Sequence, residues 1–221
     1  MFTQIGVVGH GRLGSTIAAR LEERRLAADV ESADLVILCV PDRAIHEAAG
    51  RVPVGRWITH TSGAVPLSAL APHERRFGLH PLQTFRRDGG ATQLDGAWAA
   101  VTAESEDARQ RSRWLAQTLG LEPFDLREDR RVLYHAGATV ASNFLVTLYR
   151  AARHLIEIAG APPEVLLPLM RRTIDNGFDL TGPIARGDWA TVEAHKQAIR
   201  AKHPELENLY DTLAGATVLL V

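Results

Sequence analysis

The stretch Gln4-Ile5-Gly6-Val7-Val8-Gly9-His10-Gly11-Arg12-Leu13-Gly14 decides how the chain is read. A short run with β-branched residues ends at glycine, the pattern of a buried strand. An apolar helical spacing at Leu13, Ile17, Ala18 and Leu21 follows at once. Three glycines in Gly-x-Gly-x-x-Gly spacing say little alone, but between a strand and a helix each has a physical task. Gly9 permits the tight turn, Gly11 lets a pyrophosphate reach the backbone, and Gly14 lets helix and strand pack closely. Free N–H groups at the helix start face the anion, helped by the helix dipole. Gly9, His10, Gly11, Arg12, Leu13 and Gly14 are therefore the candidate cradle, with the Arg12 guanidinium as an added phosphate contact.

Downstream, the pattern departs from an intact dinucleotide fold. That fold continues with a second strand and an acidic or basic residue about 20 positions on that holds the adenosine ribose. Glu31 falls near that distance, yet Leu26 to Val30 is a poor strand. Ser32-Ala33 leaves no room for a crossover to a parallel neighbour. The expectation is a largely deleted second βα unit, with the pyrophosphate cradle kept and the adenosine platform missing. Further strands are expected at 35–40, 57–60, 77–80, 97–102 and 123–126, with a charged helix at 105–119. Continuous apolar strands alternating with helices predict an α/β fold, a Rossmann-like, mostly parallel sheet covered on both faces.

After Arg127 the texture changes. Apolar residues at helical spacing run from Leu133 through Val140, Phe144 and Leu148 to Ile156, predicting one helix over 130–159 that Gly160-Ala161-Pro162-Pro163 ends. Pro163 opens another helix, 181–188 is a turn-rich break, and two more helices are expected at about 188–201 and 204–219. The predicted organisation is a dinucleotide-binding domain at 1–127 and an all-α substrate and dimerisation domain at 128–221.

Composition narrows the function classes. The 221 residues are 46% hydrophobic and 23% charged, with a formal net charge of −1. No arginine–lysine block interleaved with aromatics is present, so no nucleic-acid partner is expected. The longest apolar runs, such as Leu35 to Val40, are too short to span a bilayer, and no membrane partner is expected. The first apolar segment lacks a basic leader and a cleavage site, and the single Cys39 permits no internal disulfide. A cytoplasmic location is expected, and Cys39 reads as a small buried hydrophobe.

Six segments in order resemble a known family over nearly the whole chain. They are Gly9-His10-Gly11-Arg12-Leu13-Gly14, Val40-Pro41-Asp42, His60-Thr61-Ser62-Gly63-Ala64, Leu79 to Phe85, Tyr134-His135-Ala136 through Ser142-Asn143-Phe144, and Thr181 to Asp188. The chain is similar to bacterial Rossmann-like proteins with a helical C-terminal domain of unassigned function. These are relatives of the 6-phosphogluconate dehydrogenase, pyrroline-5-carboxylate reductase and ketopantoate reductase group. The resemblance implies NADP or NAD as cofactor, a helical domain through which two copies pair as a homodimer, and reduction of a small oxo acid or imine, a ketopantoate-like compound first among them.

Candidate chemistry follows residue by residue. Val40, Pro41 and Asp42 end a strand at the carboxyl edge, where ligands bind in open α/β sheets; Asp42 is equally readable as a helix cap. Ser62 ends the next strand on that edge, either meeting a nicotinamide or substrate oxygen or making an ordinary turn. His80 follows another strand, with its aim set by Pro81. His135, Thr139 and Asn143 lie at spacings of four on the long helix, and His with Asn suits polarisation of a carbonyl or imine. A buried polar pair bonding neighbouring backbone is the plainer reading of His135 and Asn143. The related dehydrogenases place a lysine one turn before the asparagine; here Thr139 stands there, so a lysine-based mechanism is not expected.

Arg186, in a glycine-flanked turn, is a candidate clamp for a substrate carboxylate, or a structural tie within that turn. No His-Glu-x-x-His or comparable spacing is present, and no metal is expected, although His60, His80 and His135 together offer three imidazoles. Two functions fit. One is an NAD(P)-dependent oxidoreductase acting on a small-molecule substrate, with His80, His135, Asn143 and Arg186 as its catalytic set. The other is a non-catalytic ligand-binding or regulatory protein on a degenerate dehydrogenase scaffold.

Overall fold

The computed structural model describes residues 1–220. The chain divides into two compact units, Met1–Val140 and Ala141–Val221. Residues 128–140, read from sequence as the start of the helical domain, thus group with the first unit.

In that unit the strands are β1 (Ile5–Val8), β2 (Leu35–Leu38), β3 (Trp57–His60), β4 (Arg76–Pro81), β5 (Trp98–Ala103) and β6 (Glu122–Asp125). They lie in the order β1-β2-β3-β4-β5-β6. Every neighbouring pair is parallel except β4 with β5, so the sheet is mostly parallel, as expected. The helices of the unit are α1 (Arg12–Glu23), α2 (Ile45–Gly50), α3 (Glu106–Leu119) and α4 (Arg131–Thr139).

The run Leu35-Val36-Ile37-Leu38 shows why this sequence makes a sheet buried on both sides. Successive strand side chains point to opposite faces. Leu35 and Ile37 pack with Ile17 and Leu21 of α1 and Leu115 of α3, whereas Val36 and Leu38 pack with Ile45 and Ala49 of α2. All four are fully buried, hence the unbroken apolar run. Ser105 starts α3 as an N-cap, its hydroxyl accepting from the Ala108 N–H, and Gly120 ends it at φ +91°.

The second βα unit survives as a single bridge. After α1, Ala27 pairs in parallel with Ile5 on the edge of β1 opposite to β2. Ile5 N donates to Leu26 O at 2.8 Å, and Ala28 N donates to Ile5 O at 3.1 Å. Residues 29–34 then cross back and open β2 on the other side. The sequence reading leaves no room for a crossover, but these few residues suffice, because a remnant one bridge long leaves little distance to retrace. Arg56 closes this loop by donating to the carbonyls of Val30, Glu31 and Ala33. Asp34 fastens it to β1 by accepting from the N–H groups of Thr3 and Gln4 at 2.9 and 3.2 Å. Strand direction of travel therefore reverses at β1, the type of place where α/β sheets bind ligands.

The second unit is built from α5 (Leu145–Ile158), α6 (Leu166–Asp175), α7 (Trp189–Lys202) and α8 (Glu207–Val218). Gly160 ends α5 at φ +79°, and Asp188 caps α7 by accepting from the Thr191 N–H at 3.1 Å. Lys196–Asp211 (3.0 Å) and a 2.8 Å bond between His195 Nδ1 and the Tyr210 hydroxyl tie α7 to α8. Among the described residues no helix is long and apolar enough to cross a membrane. The single helix expected over 130–159 is interrupted: Val140–Phe144 is a π-helix.

Candidate functional site

The glycine turn has the geometry its spacing predicts. Gly9 has φ +97°, and a Cβ there would lie 2.5 Å from Cys39 O. A Cβ on Gly14 would lie 1.8 Å from Gly9 O, so only glycine lets α1 approach β1 this closely. At Gly11 the result is the opposite: a Cβ would meet nothing within 4 Å. The first N–H groups of any α-helix lack intrahelical acceptors. Among the described residues those of Gly11, Arg12 and Leu13 donate to no backbone carbonyl outside the helix. Gly11 is the N-cap and has no side chain to satisfy them, no acidic residue occupies the first turn, and Arg12 and His10 are exposed. Space, untied donors and a positive helix end coincide, which fits the phosphate bridge of a nucleotide.

A second constellation lies farther along the same edge. Parallel register aligns Val8, Leu38, His60 and Gly78 in one row across β1 to β4, and the antiparallel pair adds Thr102. The ends of β1, β2, β3 and β4 that follow this row share one edge. His80 lies two residues past it, inside β4 and opposite Ala100, rather than after the strand as the sequence suggests. Three strand spacings separate β1 from β4, roughly 14 Å.

His80 and His135 meet over Gly63. A Cβ on Gly63 would lie 2.5 Å from His135 Nδ1 and 3.1 Å from His80 Nε2. The two imidazoles are edge-to-face with centroids 5.6 Å apart. His80 Nδ1 shares a 2.8 Å hydrogen bond with the Tyr134 hydroxyl, and Phe124 packs on Tyr134 from β6. His135 Nδ1 is shut from solvent without a hydrogen-bond partner among the described residues. His60 is fully buried, and both its ring nitrogens lack a partner as well.

Arg131 builds this end of the site. It is 1% exposed, and its guanidinium donates to Val65 O at 3.0 Å, to Thr102 Oγ1 at 2.9 Å and to Ser62 O. Its Nη1 lies over Gly78, where a Cβ would come within 2.7 Å. Glu128 accepts from the Leu67 N–H at 2.7 Å and stands 3.9 Å from Arg131. The loop after β3 is thus fastened to the start of α4 from both sides.

The same burial and buried cation keep the His60 and His80 imidazoles neutral. Burial, with the charges of Arg131 and His80 added, lowers His60 to about 3. Burial, then His135 and Arg131, lowers His80 to about 4. Burial raises the Tyr134 hydroxyl to about 12, against the pull of Arg131. At neutral pH the pair Tyr134–His80 is therefore uncharged and holds its protons as hydrogen-bond donors.

The remaining candidates have surroundings of their own. Ser62 is buried, and its hydroxyl accepts from the N–H groups of Ala64 and Val65 at 3.2 and 3.0 Å, which makes it a turn residue. β2 ends at Leu38, so Val40 and Pro41 lie past it. Asp42 opens a 3-10 turn, is exposed, and makes no side-chain cap for α2, whose N-cap is Ala44. Asn143 is exposed within the π segment, so the unbroken α-helical spacing of four assumed for His135, Thr139 and Asn143 does not hold. Arg186 is exposed and donates to Thr181 O inside its own turn. Among the described residues no group of three or more His, Cys, Asp or Glu is placed to hold a metal ion. Burial pushes the Cys39 thiol up to about 12. Sequence reasoning gave no role to Arg131, Tyr134 or Gly63. The i, i+3, i+4 spacing of Arg131, Tyr134 and His135 on one helical face was the available signal.

Comparison with known proteins places the chain among others of this architecture. A family described as a domain of unknown function, DUF2520, matches residues 97–217. No curated protein matches the sequence. Among solved structures, the chain is similar to a candidate NADP oxidoreductase from Bacteroides fragilis, at 23% identity, TM-score 0.81 and 98% coverage of each chain. It is similar to a protein from Thermotoga maritima at 24% identity, TM-score 0.75 and 96% coverage of each chain. A reductive aminase from Aspergillus terreus, solved with NADPH and ethyl levulinate, shares 16% identity and TM-score 0.70, covering 99% of this chain and 94% of its own. At these identities the likeness establishes the fold.

Proposed function

The chain belongs to the DUF2520 family, and we propose that it is a nicotinamide-dinucleotide-dependent oxidoreductase that reduces a small oxo acid or imine. The observation that carries this reading is the open space above Gly11, faced by untied N–H groups at the start of α1. One solved structure of the same fold is described as an NADP oxidoreductase and another as a reductive aminase in complex with NADPH, which agrees with it. Nicotinamide, when bound, would supply a hydride.

This chain's own residues would do the rest. Residues 9–14 hold the pyrophosphate, with Arg12 as an added cation, and the loop Val40-Pro41-Asp42 flanks the path along the sheet edge. Backbone around Ser62 and Gly63 borders the reacting end. His80 and His135 hold a substrate oxygen or nitrogen by hydrogen bonds. Neutral His80 acts as a donor rather than as a charged acid, because burial and Arg131 oppose its protonation. Arg131 positions the loop and touches no reactant.

The test is nicotinamide fluorescence during titration with NADH and NADPH. Gly11→Asp places a carboxylate at the phosphate position and is expected to weaken binding at least about 100-fold, roughly 2.7 kcal/mol, with the melting temperature unchanged. Unchanged affinity in that variant would put any nucleotide elsewhere. The same reading pairs two copies through the helical unit, where Phe144, Leu145, Val146, Leu169, Phe178 and Trp189 are exposed in a single chain. Sedimentation should then give twice the chain mass; a monomer at micromolar concentration rejects the pairing.

A further inference from the structure

Two cavities flank the segment left by the reduced second βα unit, and both have Val30 and Glu31 in their walls. The first, about 580 Å³, runs from His10 of the glycine turn along Ile5 and Val7 to Glu22 and residues 27–31. The second, about 420 Å³, lies between Val8, Val40, the N-cap Ala44 and the α2 residue Ala48. Both volumes are in the range of small-molecule sites. Resting on the dinucleotide reading, we infer that this chain selects NAD(H) over NADP(H) and that Glu31 is the selecting side chain.

A dinucleotide whose pyrophosphate sits over Gly11 and whose nicotinamide end lies toward β3 and β4 must send its adenosine toward β1's other edge. The first cavity lies there, and the second, on the α2 side, shares its Val30–Glu31 wall. In such folds an acidic side chain near this point accepts from the ribose hydroxyls, whereas an arginine accommodates the additional phosphate of NADP. The first cavity is lined by three carboxylates, Glu22, Asp29 and Glu31, and by no arginine or lysine. The second is lined by Glu31, Glu47 and Arg51, and Arg51 is already ion-paired with Glu47. Glu31 belongs to both. Its backbone is held in place, since Arg56 donates to the carbonyls of Val30, Glu31 and Ala33. A 2′-phosphate would therefore meet net negative charge with no free cation on either lining, while a ribose diol would meet an acceptor.

The experiment is calorimetric titration of the full chain with NADH and with NADPH at low salt. NADH is expected to bind at least about tenfold more tightly, with the gap narrowing at about 1 M salt, where charge repulsion is screened. Glu31→Gln should narrow the gap, and Glu31→Arg should invert it; Glu31 is exposed, so neither change threatens folding. NADPH binding as tightly as NADH, or an unchanged ratio in Glu31→Arg, overturns the selectivity and leaves the dinucleotide reading standing. Failure of both nucleotides to bind overturns the two together.

Discussion

Gly11 and Gly63 stand at two ends of one sheet edge and have opposite surroundings. A Cβ on Gly11 meets nothing within 4 Å, whereas on Gly63 it would collide with both imidazoles of the histidine pair. At the first end the protein leaves donors and space without partners. At the second two histidines fill the space around the glycine, with a tyrosine bonded to one of them and a buried arginine on the adjoining loop. The difference separates two tasks. An opening that chain atoms leave empty suits a ligand, and a packed polar cluster suits holding reacting atoms in fixed geometry.

Removing the arginine attacks the filled end hardest. Arg131→Met leaves Ser62 O, Val65 O and Thr102 Oγ1 without their shared donor, in surroundings closed to water. A loss of roughly 3 kcal/mol in folding stability is expected, measurable by urea denaturation. A loss below about 1 kcal/mol would mean that the loop after β3 holds itself. Dinucleotide affinity should change little if the two ends are separate, and a parallel collapse of affinity would merge them.

Gly63→Ala is the sharper contrast. The added methyl must displace His135 or His80, at a cost of roughly 1–2 kcal/mol, while Gly11→Ala should be tolerated with no comparable loss. Imidazole ring resonances followed by NMR should move in the first variant and stay in the second. Equal effects of the two alanines would erase the distinction between open and filled.

The last contrast is in pH. His60 and His80 have folded values of about 3 and about 4, below the ordinary value of 6.5. The unfolded chain therefore binds more protons between those limits, so stability is fully present above about pH 6.5 and is lost as pH falls toward 3. Melting temperature should decline over that interval, and His60→Gln should flatten the decline. A flat profile in the wild-type chain would show that the histidine end is not shielded from water.

The open end was legible in the sequence, whereas of the filled end only the histidines were. Gly9, Gly11 and Gly14 have local tasks, each set by the strand and helix directly beside it, and the poor strand at Leu26 to Val30 signalled the reduced unit. The meeting of His80 with His135 over Gly63 depends on sheet order and register, which bring together residues far apart in the chain. Arg131 drew no reading at all, because nothing in a single sequence distinguishes a buried guanidinium from an exposed one. The π turn at Val140–Phe144 is also invisible to apolar periodicity, and it undid the stripe that joined Asn143 to His135.

The most direct test of the central claim is amide NMR of the chain titrated with NADH. A dinucleotide held by the glycine turn should shift most the backbone N–H signals of Gly11, Arg12 and Leu13, the untied donors of that turn. Saturating nucleotide that leaves those three signals in place, or moves only signals remote from them, would contradict it.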